Sequence, residues 1–93
     1  MAQRIDLLSN ESATGVGRAW AGGRGQFKVA GTFAGATVKL QILGPDGATW
    51  QDVGSDVTLT AAGLANFDLP PGTIRAGVAG GSPSGLHAEA ASL

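Results

Sequence analysis

The sequence predicts an all-β domain: a small Greek-key or jelly-roll-like β-sandwich of about seven to eight short antiparallel strands, with a small β-barrel as the runner-up. Three observations carry that expectation. Apolar residues alternate with polar ones in run after run, which is the period of a strand with one buried face. Clusters of Gly, Pro, Asn, Asp and Ser separate those runs at ~8–12-residue spacing. No stretch of the 93 residues makes a convincing amphipathic helix.

At the start of the chain, Ile5, Leu7 and Leu8 can form a short strand, and Ser9-Asn10-Glu11-Ser12 reads as a turn or an extended arm. Residues 15–25 are glycine-rich, with Arg18-Ala19-Trp20-Ala21 as a short strand between flexible ends. On this reading residues 1–25 are a partly extended N-terminal arm, and residues 26–93 are the sandwich domain. Gln26-Phe27-Lys28-Val29-Ala30 is a strand with Phe27 and Val29 on one face. Residues 31–36 lead into a central hairpin, where Val38, Leu40 and Ile42 alternate with Lys39 and Gln41. Gly44-Pro45-Asp46-Gly47 has the chemistry of a type I turn closed by a left-handed glycine. Counting across it sets Gly44 opposite Ala48, Ile42 opposite Trp50 and Leu40 opposite Asp52. Trp50 is therefore expected in the core, and Asp52 is a mismatch for a bulge or strand end to absorb.

Beyond the Gly54-Ser55 turn, Val57, Leu59 and Ala61 alternate with Thr58 and Thr60. Ala62-Gly63 turns the chain into a strand carrying Ala65, Phe67 and Leu69 on one face. Pro70-Pro71 ends that strand, because proline donates nothing to a ladder. Ile74, Ala76 and Val78 mark the next strand, residues 80–85 a loop, and Leu86, Ala88 and Ala90 the last.

A single domain of 93 residues buries only ~60–65% of the surface its unfolded chain exposes, so it is marginal alone. Small domains gain stability from disulfides, metals or self-association. There is no cysteine and one histidine, which rules out disulfides and leaves no zinc site of the usual kind. Charged residues are 14% of the chain against a typical ~25%, and assembly interfaces lack charge at their centres. Self-association, or assembly on another protein, is the expected route. A net charge of −1 creates no field that attracts nucleic acid or an anionic membrane. The N-terminal Ile5-Asp6-Leu7-Leu8 is too short and too polar for a signal-peptide core, so a cytosol-made product is expected.

The chain carries few residue patterns that could support chemistry. Gly15-Val16-Gly17-Arg18-Ala19-Trp20 begins like a dinucleotide fingerprint, but tryptophan stands where the third glycine belongs and no strand–helix setting surrounds it. Arg18 and Arg24 among glycines, with Trp20 and Phe27 nearby, fit a subunit interface better than a nucleic-acid track. His87 has no second histidine or cysteine to work with, and reads with Glu89 as a surface or interface pair. The carboxylates Asp46, Asp52, Asp56 and Asp68 are scattered over turns and strands, not paired as glycoside hydrolysis requires. Asp46-Gly47-Ala48-Thr49-Trp50 resembles a shortened Asp-box, which in this single copy indicates a hairpin. No enzyme, cofactor or metal is expected.

Pro45, Asp46, Gly47, Thr49 and Trp50, then Thr58–Ala61 with Gly63, then Phe67, Leu69, Pro70, Gly72, Thr73, Arg75 and Ala76 form an ordered series of motifs across about half of the chain. In this series the chain resembles small virion structural proteins of tailed bacteriophages. The resemblance implies a non-enzymatic β-domain on the capsid surface, made in the host cytoplasm. It implies a decoration or cement protein that bridges subunits of the major capsid protein, as a homotrimer. A head-fibre, neck or tail accessory subunit is the next expectation, and a carbohydrate-binding β-sandwich module is the competing class. Arg18, Trp20, Arg24 and Phe27 are the expected contact residues, since tryptophan and arginine dominate interface hot spots.

Overall fold

The computed structural model describes residues 3–93. Its strands are β1 (Arg4–Glu11), β2 (Arg18–Trp20), β3 (Gly23–Thr32), β4 (Thr37–Leu43), β5 (Trp50–Asp52), β6 (Thr58–Leu59), β7 (Gly63–Leu69), β8 (Gly72–Ala79) and β9 (Ser84–Ser92), with a 3-10 turn at Ser55–Val57. The antiparallel pairs nest: β1 with β9, β2 with β8, β3 with β7, and β4 with β5. Successive pairs go to opposite sheets. Lateral pairing of β3 with β9 and of β4 with β8 completes a sheet A of order β1-β9-β3-β7 and a sheet B of order β2-β8-β4-β5. β6 pairs with β4 beside β5, so β5 and β6 act as one interrupted strand. With that pair counted once, the winding is a jelly roll, and the two separate sheets make it a sandwich instead of a barrel.

Alternation explains what each sheet buries. Phe27 and Val29 of β3, Leu86, Ala88 and Ala90 of β9, and Phe67 of β7 face inward from sheet A. Trp20 of β2, Ile74 and Ala76 of β8, and Val38 and Leu40 of β4 meet them from sheet B. Trp20 and Phe67 touch across the gap with ring centroids 5.0 Å apart and planes tilted by 55°, a favoured aromatic geometry. Gly25 lies between them because nothing larger fits: a Cβ there would stand 2.7 Å from the Phe67 ring and 2.8 Å from that of Trp20. In β1 a register shift between Asp6 and Leu8 lets consecutive leucines, Leu7 and Leu8, both point into the core.

Three expectations are corrected. Residues 1–25 are not set apart from the sandwich over their described part: β1 pairs along β9, and Thr14 to Trp20 run beside β8. Gly15 donates to the Ala76 carbonyl at 3.1 Å, and Thr14 Oγ1 exchanges hydrogen bonds with Val78. The glycines here serve close backbone approach, not flexibility. Second, residues 57–61 are not one strand, since a 3-10 turn ends at Val57 and only Thr58–Leu59 pair with β4. Third, the β4–β5 hairpin pairs Leu43 with Trp50, Ile42 with Gln51 and Gln41 with Asp52. That is one residue away from the expected register, and a one-residue slip moves every side chain to the other face.

Candidate interaction surface

The cause of that slip is Asp46. Its Oδ1 accepts from the backbone N–H of Ala48 at 3.0 Å and of Thr49 at 2.9 Å, while its Oδ2 accepts from Thr49 Oγ1 at 2.6 Å. These bonds hold a loop one residue longer than the simple bulged turn, with Gly44 donating to the Thr49 carbonyl at 2.7 Å and Gly47 at φ +71°. They also favour the ionised carboxylate. The Thr49 hydroxyl, followed by the Thr49 and Ala48 amides, lowers the Asp46 pKa from 3.8 to about 2.

The longer loop delivers Trp50 to the outer face of sheet B, where it is only partly buried. The other four aromatic residues, Trp20, Phe27, Phe33 and Phe67, are buried. Trp50 extends across the sheet: a Cβ on Gly17, next to β2, would lie 3.0 Å from its Cη2. The Arg75 guanidinium stacks on the ring with Cζ 4.3 Å from the centroid, a cation–π contact. Arg75 Nε donates to Gln41 Oε1 at 2.8 Å, Gln41 Nε2 donates to Asp52 Oδ1 at 2.9 Å, and Lys39 Nζ donates to Asp52 Oδ2 at 3.1 Å. A continuous polar chain thus crosses three strands and ends on an aromatic ring. Hydrogen bonds from Gln41 and then Lys39 lower the Asp52 pKa, so it stays charged. Gly77 leaves room for the Gln41 amide, since a Cβ there would be 2.5 Å from Oε1.

The outer face of sheet A is built differently. Glu89 on β9 sits between two cations, Arg4 at 2.8 Å and Lys28 at 3.6 Å. With Asp6, Ser9 and His87 these line a shallow groove of about 330 Å³ over β9. His87 lies exposed on the same face as Glu89, in register with Ala30 as Glu89 is with Lys28. Among the described residues no cluster of three metal-ligating side chains occurs.

The four expected contact residues divide. Arg18 is exposed on edge strand β2, and Arg24 is exposed on β3 in register with Asp68. Trp20, at 2% exposure, and Phe27, at 0%, are core residues facing the opposite sheet, so their side chains offer a partner nothing. The residues of this outer-face network that sequence reasoning does not find are Trp50, Arg75, Asp52 and Lys39, with Gln41 buried among them. One signal was available: an aspartate three residues before a threonine at a hairpin tip can cap its own loop and lengthen it.

Neither a family model nor a curated protein matches this chain.

Proposed function

We propose that this chain is a non-enzymatic structural protein of a tailed-phage virion that decorates the capsid surface and stabilises it by bridging subunits of the major capsid protein. The observation that carries the reading is the ordered motif series over residues 45–76, joined to a chain with only 14% charged residues. The jelly roll suits such a role by analogy of fold, which alone decides no function. Each copy removes apolar surface from water at about 25 cal/mol per Å², less the cost of immobilising it, and symmetry repeats that gain over the shell. Self-association as a trimer belongs to the same proposal. Co-sedimentation with empty shells of the phage that carries this sequence tests it. Saturable binding and a higher shell melting temperature are expected, and absence of binding overturns the reading.

One observation favours a second reading. Trp50 lies on an outer sheet face beside Gln41 and Asp52, and an aromatic ring flanked by hydrogen-bonding groups is the usual platform for a sugar. Arg75 already stacks on that ring, which weighs against it. Binding of the isolated chain to a glycan array, lost in Trp50→Ala, would select the carbohydrate module over the virion role.

A further inference from the structure

We propose that Arg75, braced by Trp50, is the anchor through which the outer face of sheet B docks onto a carboxylate side chain of the capsid shell. The inference rests on the virion reading and names the surface that reading needs. Among the described residues the ion pairs use Arg4, Lys28 and Lys39. Arg18, Arg24 and Arg75 have no carboxylate within ion-pair distance there. Of these, Arg75 is the guanidinium held in place twice, by Nε to Gln41 Oε1 at 2.8 Å and by stacking on Trp50 at 4.3 Å. Both contacts leave the two terminal nitrogens of its fork without a hydrogen-bond partner among the described residues.

A planar fork fixed in this way matches a carboxylate bidentately, and the ordering that usually weakens an arginine contact is already done. The neighbouring carboxylate does not compete. Asp52 is engaged by Lys39 and Gln41, and Gln41 holds Arg75 from the other side. Lys39 and Arg75 against Asp52 leave this face with one excess positive charge, which selects an acidic partner. Trp50 supplies the apolar area beside the fork, and tryptophan with arginine is the pairing enriched at interface centres. Gly17 and Gly77 leave room for the Trp50 ring and the Gln41 amide to lie close against the sheet, which holds the Arg75 support in place. The occupant is therefore an Asp or Glu on the shell with an apolar neighbour to cover the indole.

Shell co-sedimentation of four full-length proteins tests this: wild type, Arg75→Gln, Trp50→Leu and the sheet A control Lys28→Gln. Arg75→Gln and Trp50→Leu are expected to weaken binding about tenfold or more, and Lys28→Gln by less than about twofold. Hydrogen exchange of the wild type on and off the shell gives a readout that needs no variant. Added protection is expected in residues 37–43, 50–52 and 72–79. Wild-type binding that Arg75→Gln leaves intact, or protection confined to sheet A, overturns the anchor and leaves the virion reading standing. No binding by the wild type overturns both. If Arg75→Gln does not fold, the exchange footprint decides. Loss in Arg75→Gln of self-association or of glycan binding, with shell binding retained, assigns the face to that other occupant and overturns the proposal.

Discussion

Ala34 sits at φ +48° and Gly35 at φ +88°, with the Ala36 N–H bonded to the Phe33 carbonyl at 2.9 Å: a type I′ turn with an alanine where the backbone favours asparagine or glycine. A left-handed alanine costs roughly 1–2 kcal/mol, and residue 34 is exposed, so a new side chain meets no packing. Ala34→Asn is expected to raise stability by about 0.5–1 kcal/mol, read as a higher urea midpoint at unchanged slope. Asp46 makes a pH prediction. Its folded pKa, about 2, lies below the usual 3.8, so its contribution is complete above the usual value and is lost as pH falls through the folded one. Thermal midpoints measured from pH 5 to pH 2 are expected to fall less steeply in Asp46→Asn than in the wild type. Asp52, lowered in the same direction, keeps part of the slope in both. Trp20 shows why residue identity alone misplaced the contacts. Tryptophan is as much a core residue as a hot spot, and only the pairing of Trp20 with Gly72 on β8 decides which it is here. Trp20→Ala is expected to cost about 3–5 kcal/mol of folding stability, and its Nε1, which has no hydrogen-bond partner among the described residues, makes Trp20→Phe far milder. Circular dichroism during urea unfolding distinguishes the two.

At the scale of elements, strand positions were legible wherever one face is buried. Phe27/Val29, Val38/Leu40, Ile74/Ala76 and Leu86/Ala88/Ala90 all lie inward as their alternation requires. What was not legible depends on bonds that periodicity does not see. The facing of β5 depends on three hydrogen bonds to one aspartate at the loop tip. The inward turn of both Leu7 and Leu8 depends on a bulge, and the integration of residues 14–20 depends on glycines used for close approach. The same ambiguity governs Gly25, which reads as a flexible joint and is an aromatic contact point on β3. Gly25→Ala is expected to destabilise by about 1–3 kcal/mol through overpacking against Trp20 and Phe67. Gly54→Ala is the matching control. Its backbone is extended, and a Cβ there has nothing within 4 Å, so its urea midpoint should not fall.

For the whole molecule, the accessible surface of 4920 Å² is what the surface–mass relation gives for a compact 9.2 kDa chain, about 4900 Å². The sandwich is thus closed with no projecting arm among the described residues, and its closure depends on the last strand. β9 lies between β1 and β3 in sheet A and contributes Leu86, Ala88 and Ala90, all buried. β1 has its ladder with β9, Arg4 facing Ala91, and Ser92 donates to the Gln3 carbonyl at 2.8 Å. Every nested pair other than the β4–β5 hairpin joins segments far apart in sequence, so large loops must close before the pairing rewards them. Refolding from urea is therefore expected in the millisecond-to-second range, slow for so short a chain. A chain ending at Gly81 lacks the centre of sheet A, leaves β1 unpaired and uncovers Phe27 and Val29. It should show no cooperative urea transition by circular dichroism. A cooperative transition in that truncated chain would mean that sheet B and the β3–β7 pair form a stable unit, and that β9 is an addition to the core instead of its closing strand.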